Sequence, residues 1–127
     1  MKIAINGFGR IGRLVFRLME EDDFFDVVAI NDLSTPEELA YLLKYDTNHR
    51  NYDKEVSFDD NAIIVSGKKV RVTSCSDPST LPWKELDIDM VFECTGRFTK
   101  EEEAMKHIIA GAKRVLVSAP CKGNVKT

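Results

Sequence analysis

The chain has 127 residues, 43% of them apolar and 31% charged, with 18 basic against 21 acidic side chains and a net charge of −3. The ordinary apolar fraction excludes a disordered chain, and the missing basic excess argues against a nucleic-acid-binding protein. No apolar run approaches the ~20 residues that cross a bilayer, so no membrane partner is expected.

The start, Met1 to Asn6, is too short in apolar residues for a secretion signal, and a cytoplasmic location is expected. Cys75, Cys94 and Cys121 are odd in number and widely spaced, which suggests neither a disulfide framework nor a zinc site. His49 and His107 lack metal-ligand spacing, so no metal is expected.

Lys2 to Asn6 reads as a strand that runs straight into glycines. Ile11, Leu14, Val15, Leu18 and Met19 then recur at helical spacing and predict an amphipathic helix with that face buried. Val27-Val28-Ala29-Ile30 is apolar throughout, as in a strand covered on both faces. Ser34-Thr35-Pro36-Glu37-Glu38 is a helix start: a hydroxyl cap, a proline in the first turn, and acids at the positive end. Leu39, Leu42 and Leu43 would be that helix's buried face, and residues 46–54 a long polar loop.

Val56-Ser57-Phe58, Ile63-Ile64-Val65 and Val70-Arg71-Val72 are short strands at hairpin spacing, which implies antiparallel pairing. Leu81 to Leu86 suggests a short helix, and Met90-Val91-Phe92-Glu93 another apolar strand. Thr99-Lys100-Glu101-Glu102 matches a capping box for a helix ending near Ala110, with Gly111 as its stop. Val115-Leu116-Val117 closes the pattern. The alternation predicts an α/β fold: a doubly wound, mostly parallel sheet of the Rossmann type with an antiparallel hairpin excursion, residues 1–127 forming one domain.

The sharpest feature is Gly7-Phe8-Gly9-Arg10-Ile11-Gly12, a G-x-G-x-x-G between the first strand and the first helix. Gly7 would permit the turn, Gly9 would let a pyrophosphate approach the backbone, and Gly12 would let the helix pack close. The helix start directs its amides, around Arg10 and Ile11, at the phosphates. Asp32 follows 20 residues after Gly12, just past the second strand. A carboxylate there accepts hydrogen bonds from an adenosine ribose and repels a 2′-phosphate. Leu33 brings no compensating charge, so the expected cofactor is NAD rather than NADP.

Thr95-Gly96 and Ser118-Ala119-Pro120 lie past later strand ends, where open α/β sheets place ligands; each is equally readable as a plain turn. His107 reads as a surface or packing residue, His49 as part of a solvated turn and Cys94 as a small buried hydrophobe. Cys121 has no histidine near in sequence to activate it, so no catalytic residue is assigned.

Ala4-Ile5-Asn6-Gly7-Phe8-Gly9-Arg10-Ile11-Gly12-Arg13 resembles the N-terminal signature of the glyceraldehyde-3-phosphate dehydrogenase family. The resemblance continues through Val28–Leu33, Leu42–Asp46, Ser66–Val72, Cys94–Phe98 and Gly111–Pro120, and so covers nearly the whole chain. It implies the cofactor domain of a homotetrameric glycolytic oxidoreductase that passes hydride from glyceraldehyde 3-phosphate to NAD, with phosphate as co-substrate. The family's catalytic cysteine, in an S-C-T-T-N motif, its catalytic histidine and its substrate-phosphate sites are expected outside this chain. The chain would then be an N-terminal fragment, inactive by itself. The binding residues implied are Asn6, Gly7, Phe8 and Gly9 lining the turn and the amides of Arg10 and Ile11 on the pyrophosphate. Asp32 would hold the adenosine ribose, and Thr95, Gly96 and Ser118 would lie along the nicotinamide half.

Two departures from the family pattern stand out. Ser76 replaces a basic residue near the adenine, and Arg50 follows His49 where glycine is common. Erythrose-4-phosphate dehydrogenases share the glycine turn and are the alternative, as is a dinucleotide-binding module without catalysis. Ser118-Ala119-Pro120 resembles the glyceraldehyde-3-phosphate dehydrogenase family somewhat better than the erythrose-4-phosphate one.

Overall fold

The computed structural model describes residues 1–22, 24–45, 55–75, 80–94 and 101–117, with the backbone alone for 101–104 and 117. Strand β1 (Lys2–Asn6) leads through the glycine turn into α1 (Arg10–Glu20) and then β2 (Asp26–Asn31). After α2 (Pro36–Lys44) come β3 (Val56–Asp59), β4 (Ala62–Val65) and β5 (Lys68–Thr73). The chain ends, as described, with β6 (Met90–Glu93), α3 (Glu101–Ile109) and β7 (Arg114–Val117).

These strands form one seven-stranded sheet in the order β3-β4-β5-β2-β1-β6-β7. β5, β2, β1, β6 and β7 run parallel to one another. β3 and β4 add an antiparallel meander at one edge, with β4 turning into β5 through the tight Ser66–Gly67 turn. The expected parallel sheet with a hairpin excursion is therefore present.

Alternation along β1 assigns the two faces. Ile3 and Ile5 join Phe8, Phe16, Leu39 and Leu43 in a core under α1 and α2. Ala4 joins Ala29, Trp83, Ile88, Val91 and Ala110 in a second core on the α3 side. The β1–β2 register slips between Ile3 and Ala4, pairing Ile3 with Val27 but Ala4 with Ala29. The extra residue, Val28, lets Val27 and Ile30 both face the first core while Val28 and Ala29 face the second.

Three local expectations change. The buried face of α1 is Gly12, Phe16 and Met19; Ile11, Leu14 and Leu18 are exposed. A Cβ at Gly12 would strike the Gly7 carbonyl oxygen, so this contact fixes the helix's rotation and carries residues 16 and 19 inward. In α2, Leu39 and Leu43 are buried, but Ala40 rather than Leu42 completes the face. Residues 81–86 form no helix. Leu81 and Trp83 are drawn into the second core, and a single turn, closed by Leu86 N–H to the Pro82 carbonyl at 3.0 Å, leads to Asp87 at φ 57°. The capping box expected at Thr99 lies outside the described residues.

Candidate functional site

The chain leaves β1 in opposite directions on its two sides: β2 and β5 lie on one side, β6 and β7 on the other. Parallel α/β sheets open a crevice at such a point, beyond the carboxyl ends of the strands. The glycine turn sits there.

Gly7 takes φ 95°, a conformation that side chains rarely allow, and its N–H donates to the Asn31 carbonyl at 2.8 Å. The next amide, Phe8 N–H, donates to Asp32 Oδ2 at 2.7 Å. Two consecutive bonds thus clamp the turn to the end of β2. Asp32 Oδ1 accepts the Ser34 N–H at 3.0 Å in an Asx turn. Each carboxylate oxygen therefore takes one backbone amide and, with two lone-pair sites, keeps room for a second donor. The Arg13 guanidinium donates to the Phe8 carbonyl at 3.0 Å and fixes the turn from the helix side.

Two observations fit an anionic dinucleotide at this corner. A Cβ on Gly9 would meet no protein atom within 4 Å, so internal packing does not require glycine there, whereas a close ligand would. The first α1 bond runs from Arg13 N–H to the Gly9 carbonyl, so the amides of Arg10 and Ile11 precede the helical ladder. That first turn holds no acidic residue to offset the positive helix end. Arg10 and Ile11 are exposed; Asn6, Gly7 and Phe8 are buried. Phe8 packs edge-to-face on Phe16 with ring centroids 5.8 Å apart, so this residue can offer a ligand only its backbone.

Residues 1–101 match the family described as "Glyceraldehyde 3-phosphate dehydrogenase, NAD binding domain". The chain belongs to this family. It is 55% identical over 122 residues to glyceraldehyde-3-phosphate dehydrogenase 2 of Bacillus subtilis (strain 168), covering 96% of this chain and 36% of that protein. It is 50% identical over 125 residues to the glyceraldehyde-3-phosphate dehydrogenase of Buchnera aphidicola subsp. Schizaphis graminum, covering 98% and 38%. The enzyme of the same name from Mycoplasma pneumoniae is 53% identical over 122 residues, covering 96% and 36%. The chain thus spans 36–38% of the length of these relatives. Its cofactor is the family's, NAD.

The site residues expected from the sequence divide in two. Asn6 through Ile11 and Asp32 come together at the corner, as described above. Thr95, Gly96 and Ser118 lie outside the described residues, as do His49, Arg50, Ser76 and Cys121. Cys94 is partly buried against the first core and donates its N–H to the Asn6 carbonyl at 2.8 Å. A cleft between α2 and β3, edged by Tyr41, Tyr45 and Phe58, does not reach the glycine turn.

Of the two roles open to His107, surface or packing, it takes the second: it is fully buried, in a polar row that crosses the sheet. Thr73, Asn31, Asn6 and Glu93 are register partners on β5, β2, β1 and β6, one row across the sheet. Their side chains link in that order, at 2.7 Å for each step. Glu93 then meets His107 Nε2 at 2.6 Å, and Trp83 Nε1–H donates to His107 Nδ1 at 2.9 Å. The signal was available: apolar strands β1, β2 and β6 each end on a hydrogen-bonding side chain. A buried group of that kind needs partners.

Proposed function

We propose that this chain forms the NAD-binding part of a phosphorylating glyceraldehyde-3-phosphate dehydrogenase. The observation that carries the reading is the corner itself: Asp32 bonded to the Phe8 amide beside a Gly9 with open space at its Cβ position. The amides of Arg10 and Ile11 would receive the pyrophosphate at the positive end of α1. Asn6, Gly7, Phe8 and Gly9 would line the turn through backbone atoms, and Asp32 would accept the adenosine ribose hydroxyls. Thr95, Gly96 and Ser118 would flank the nicotinamide. When bound, NAD would supply the hydride acceptor; everything this chain contributes is binding, orientation and charge.

The family resemblance supports the rest. In the full-length enzyme, glyceraldehyde 3-phosphate and phosphate would be the substrates, and a cysteine and histidine outside this chain would act on them. No S-C-T-T-N motif occurs in the 127 residues, so the chain alone would bind dinucleotide without turnover. The same resemblance supports a cytoplasmic homotetramer. Titration calorimetry of this chain with NAD and NADP, alongside an assay for NADH with aldehyde, phosphate and NAD, tests the reading. NAD binding without NADH formation is expected. Equal binding of NADP would contradict the role given to Asp32, and substantial turnover would contradict the absence of a nucleophile.

A further inference from the structure

Two members of the buried row stand one residue before the two halves of the cofactor corner: Asn6 precedes Gly7, and Asn31 precedes Asp32. Its hydrogen-bond senses are fixed from both ends by groups with a single possible role. At one end, the Cys75 backbone N–H donates to Asn31 Oδ1 and the Cys75 carbonyl accepts from Asn31 Nδ2, each at 2.9 Å. Asn31 must therefore donate to Asn6 Oδ1, which turns Asn6 Nδ2 onto Glu93 Oε2. At the other end, the Trp83 indole can only donate. His107 Nδ1 accepts it, so the ring proton sits on Nε2 and points at the same Glu93 oxygen. Two donor relays converge on one atom, and residue 93 must accept from both.

We infer that Glu93 and His107 are positioning residues for the dinucleotide corner: Glu93 Oε2, itself held by the His107 ring N–H, accepts the Asn6 amide and so keeps Asn6 and Asn31 in register, and with them the glycine turn against Asp32. The row spans four strands and is fully enclosed at its centre, with Glu93 1%, His107 0%, Asn6 2% and Asn31 4% exposed. Its side chains bond to no backbone atom of residues 7–11, and Asn6 alone belongs to both the row and the lining of the turn. Its effect passes through the Asn31 carbonyl, which accepts the Gly7 amide, and through the placement of Asp32, which accepts the Phe8 amide. A corner built in advance spends no binding free energy on ordering itself. Because it concerns that same corner, the inference rests on the reading proposed above.

Three substitutions test it. Glu93→Leu removes the double acceptor. Glu93→Gln keeps a carbonyl oxygen able to accept from both donors. Thr73→Val removes one donor at the far end, where the side chain is only partly buried. Two properties are read: amide hydrogen exchange of Gly7 and Phe8 relative to Ile5, and affinity for NAD and for ADP-ribose, which lacks the nicotinamide. A lost buried hydrogen bond is worth about a factor of ten at Glu93→Leu and about three at Thr73→Val. Exchange at Gly7 and Phe8 should accelerate, and both ligands should weaken together by those factors, with Glu93→Gln close to the unsubstituted chain. Unchanged exchange and affinity in Thr73→Val and in a folded Glu93→Leu would overturn the inference. If Glu93→Leu fails to fold, Thr73→Val decides it. Failure of the unsubstituted chain to bind NAD would instead overturn the cofactor reading, while the exchange rates would still report whether the row holds the turn.

Discussion

Gly9 and Gly12 stand one helical turn apart and are needed for opposite reasons. A Cβ at Gly12 collides with the Gly7 carbonyl, whereas a Cβ at Gly9 meets no protein atom. Gly12→Ala should therefore cost about 1–3 kcal/mol of stability through overpacking. Gly9→Ala should stay within about 0.5 kcal/mol of the parent chain, since its φ of −77° suits any residue, yet weaken NAD. Denaturant unfolding beside calorimetric titration separates the two effects, and equal stability loss in both variants would refute the distinction. Asp32 has two tasks, since it accepts the Phe8 amide as well as standing where a ribose would lie. Asp32→Ala should lower NAD affinity by about ten-fold or more and narrow the preference over NADP, as competitive binding of the two would show. The glycines and Asp32 were legible in the sequence because their roles depend on local spacing. The role of His107 was not, because its partners come from residues 14 and 24 positions away in sequence.

At the level of elements, local chemistry and packing shared the outcome. α2 begins where its sequence says: Thr35 Oγ1 accepts the Glu38 N–H at 3.2 Å, and Glu38 Oε1 accepts the Thr35 N–H at 2.9 Å. Thr35→Ala should remove about 1 kcal/mol, read as a lower melting temperature. The rotation of α1 was not legible, because its sequence carries two apolar stripes and only the tertiary contact at Gly12 selects between them. At the amino ends of the parallel strands, opposite the cofactor corner, Asp89 accepts the Lys2 N–H at 2.8 Å and pairs with Lys113 at 3.1 Å. The Lys2 hydrogen bond, then Lys113, hold its carboxyl below the usual carboxylate range. A lowered value in the fold means stabilisation that is present above the unfolded value and lost as pH falls through the folded one. Asp89→Ala should thus lower the melting temperature at neutral pH, lose that difference on acidification, and leave NAD affinity unchanged. A gap that persists at low pH would contradict this.

Across the whole molecule, the alternation of strands and helices revealed the parallel sheet, and hairpin spacing revealed the edge meander. The strand order places the glycine turn where the sheet's connections diverge, so topology and motif agree on one location. What the sequence did not disclose is the shared register of Thr73, Asn31, Asn6 and Glu93, which exists only once four separate strands are aligned. The family match, over residues 1–101, spans both the turn and Asp32. A crystal structure of this chain grown with NAD tests the account most directly. The diphosphate is expected on the amides of Arg10 and Ile11, over the open face of Gly9, with a ribose hydroxyl on Asp32. An empty corner with the dinucleotide bound elsewhere would contradict it.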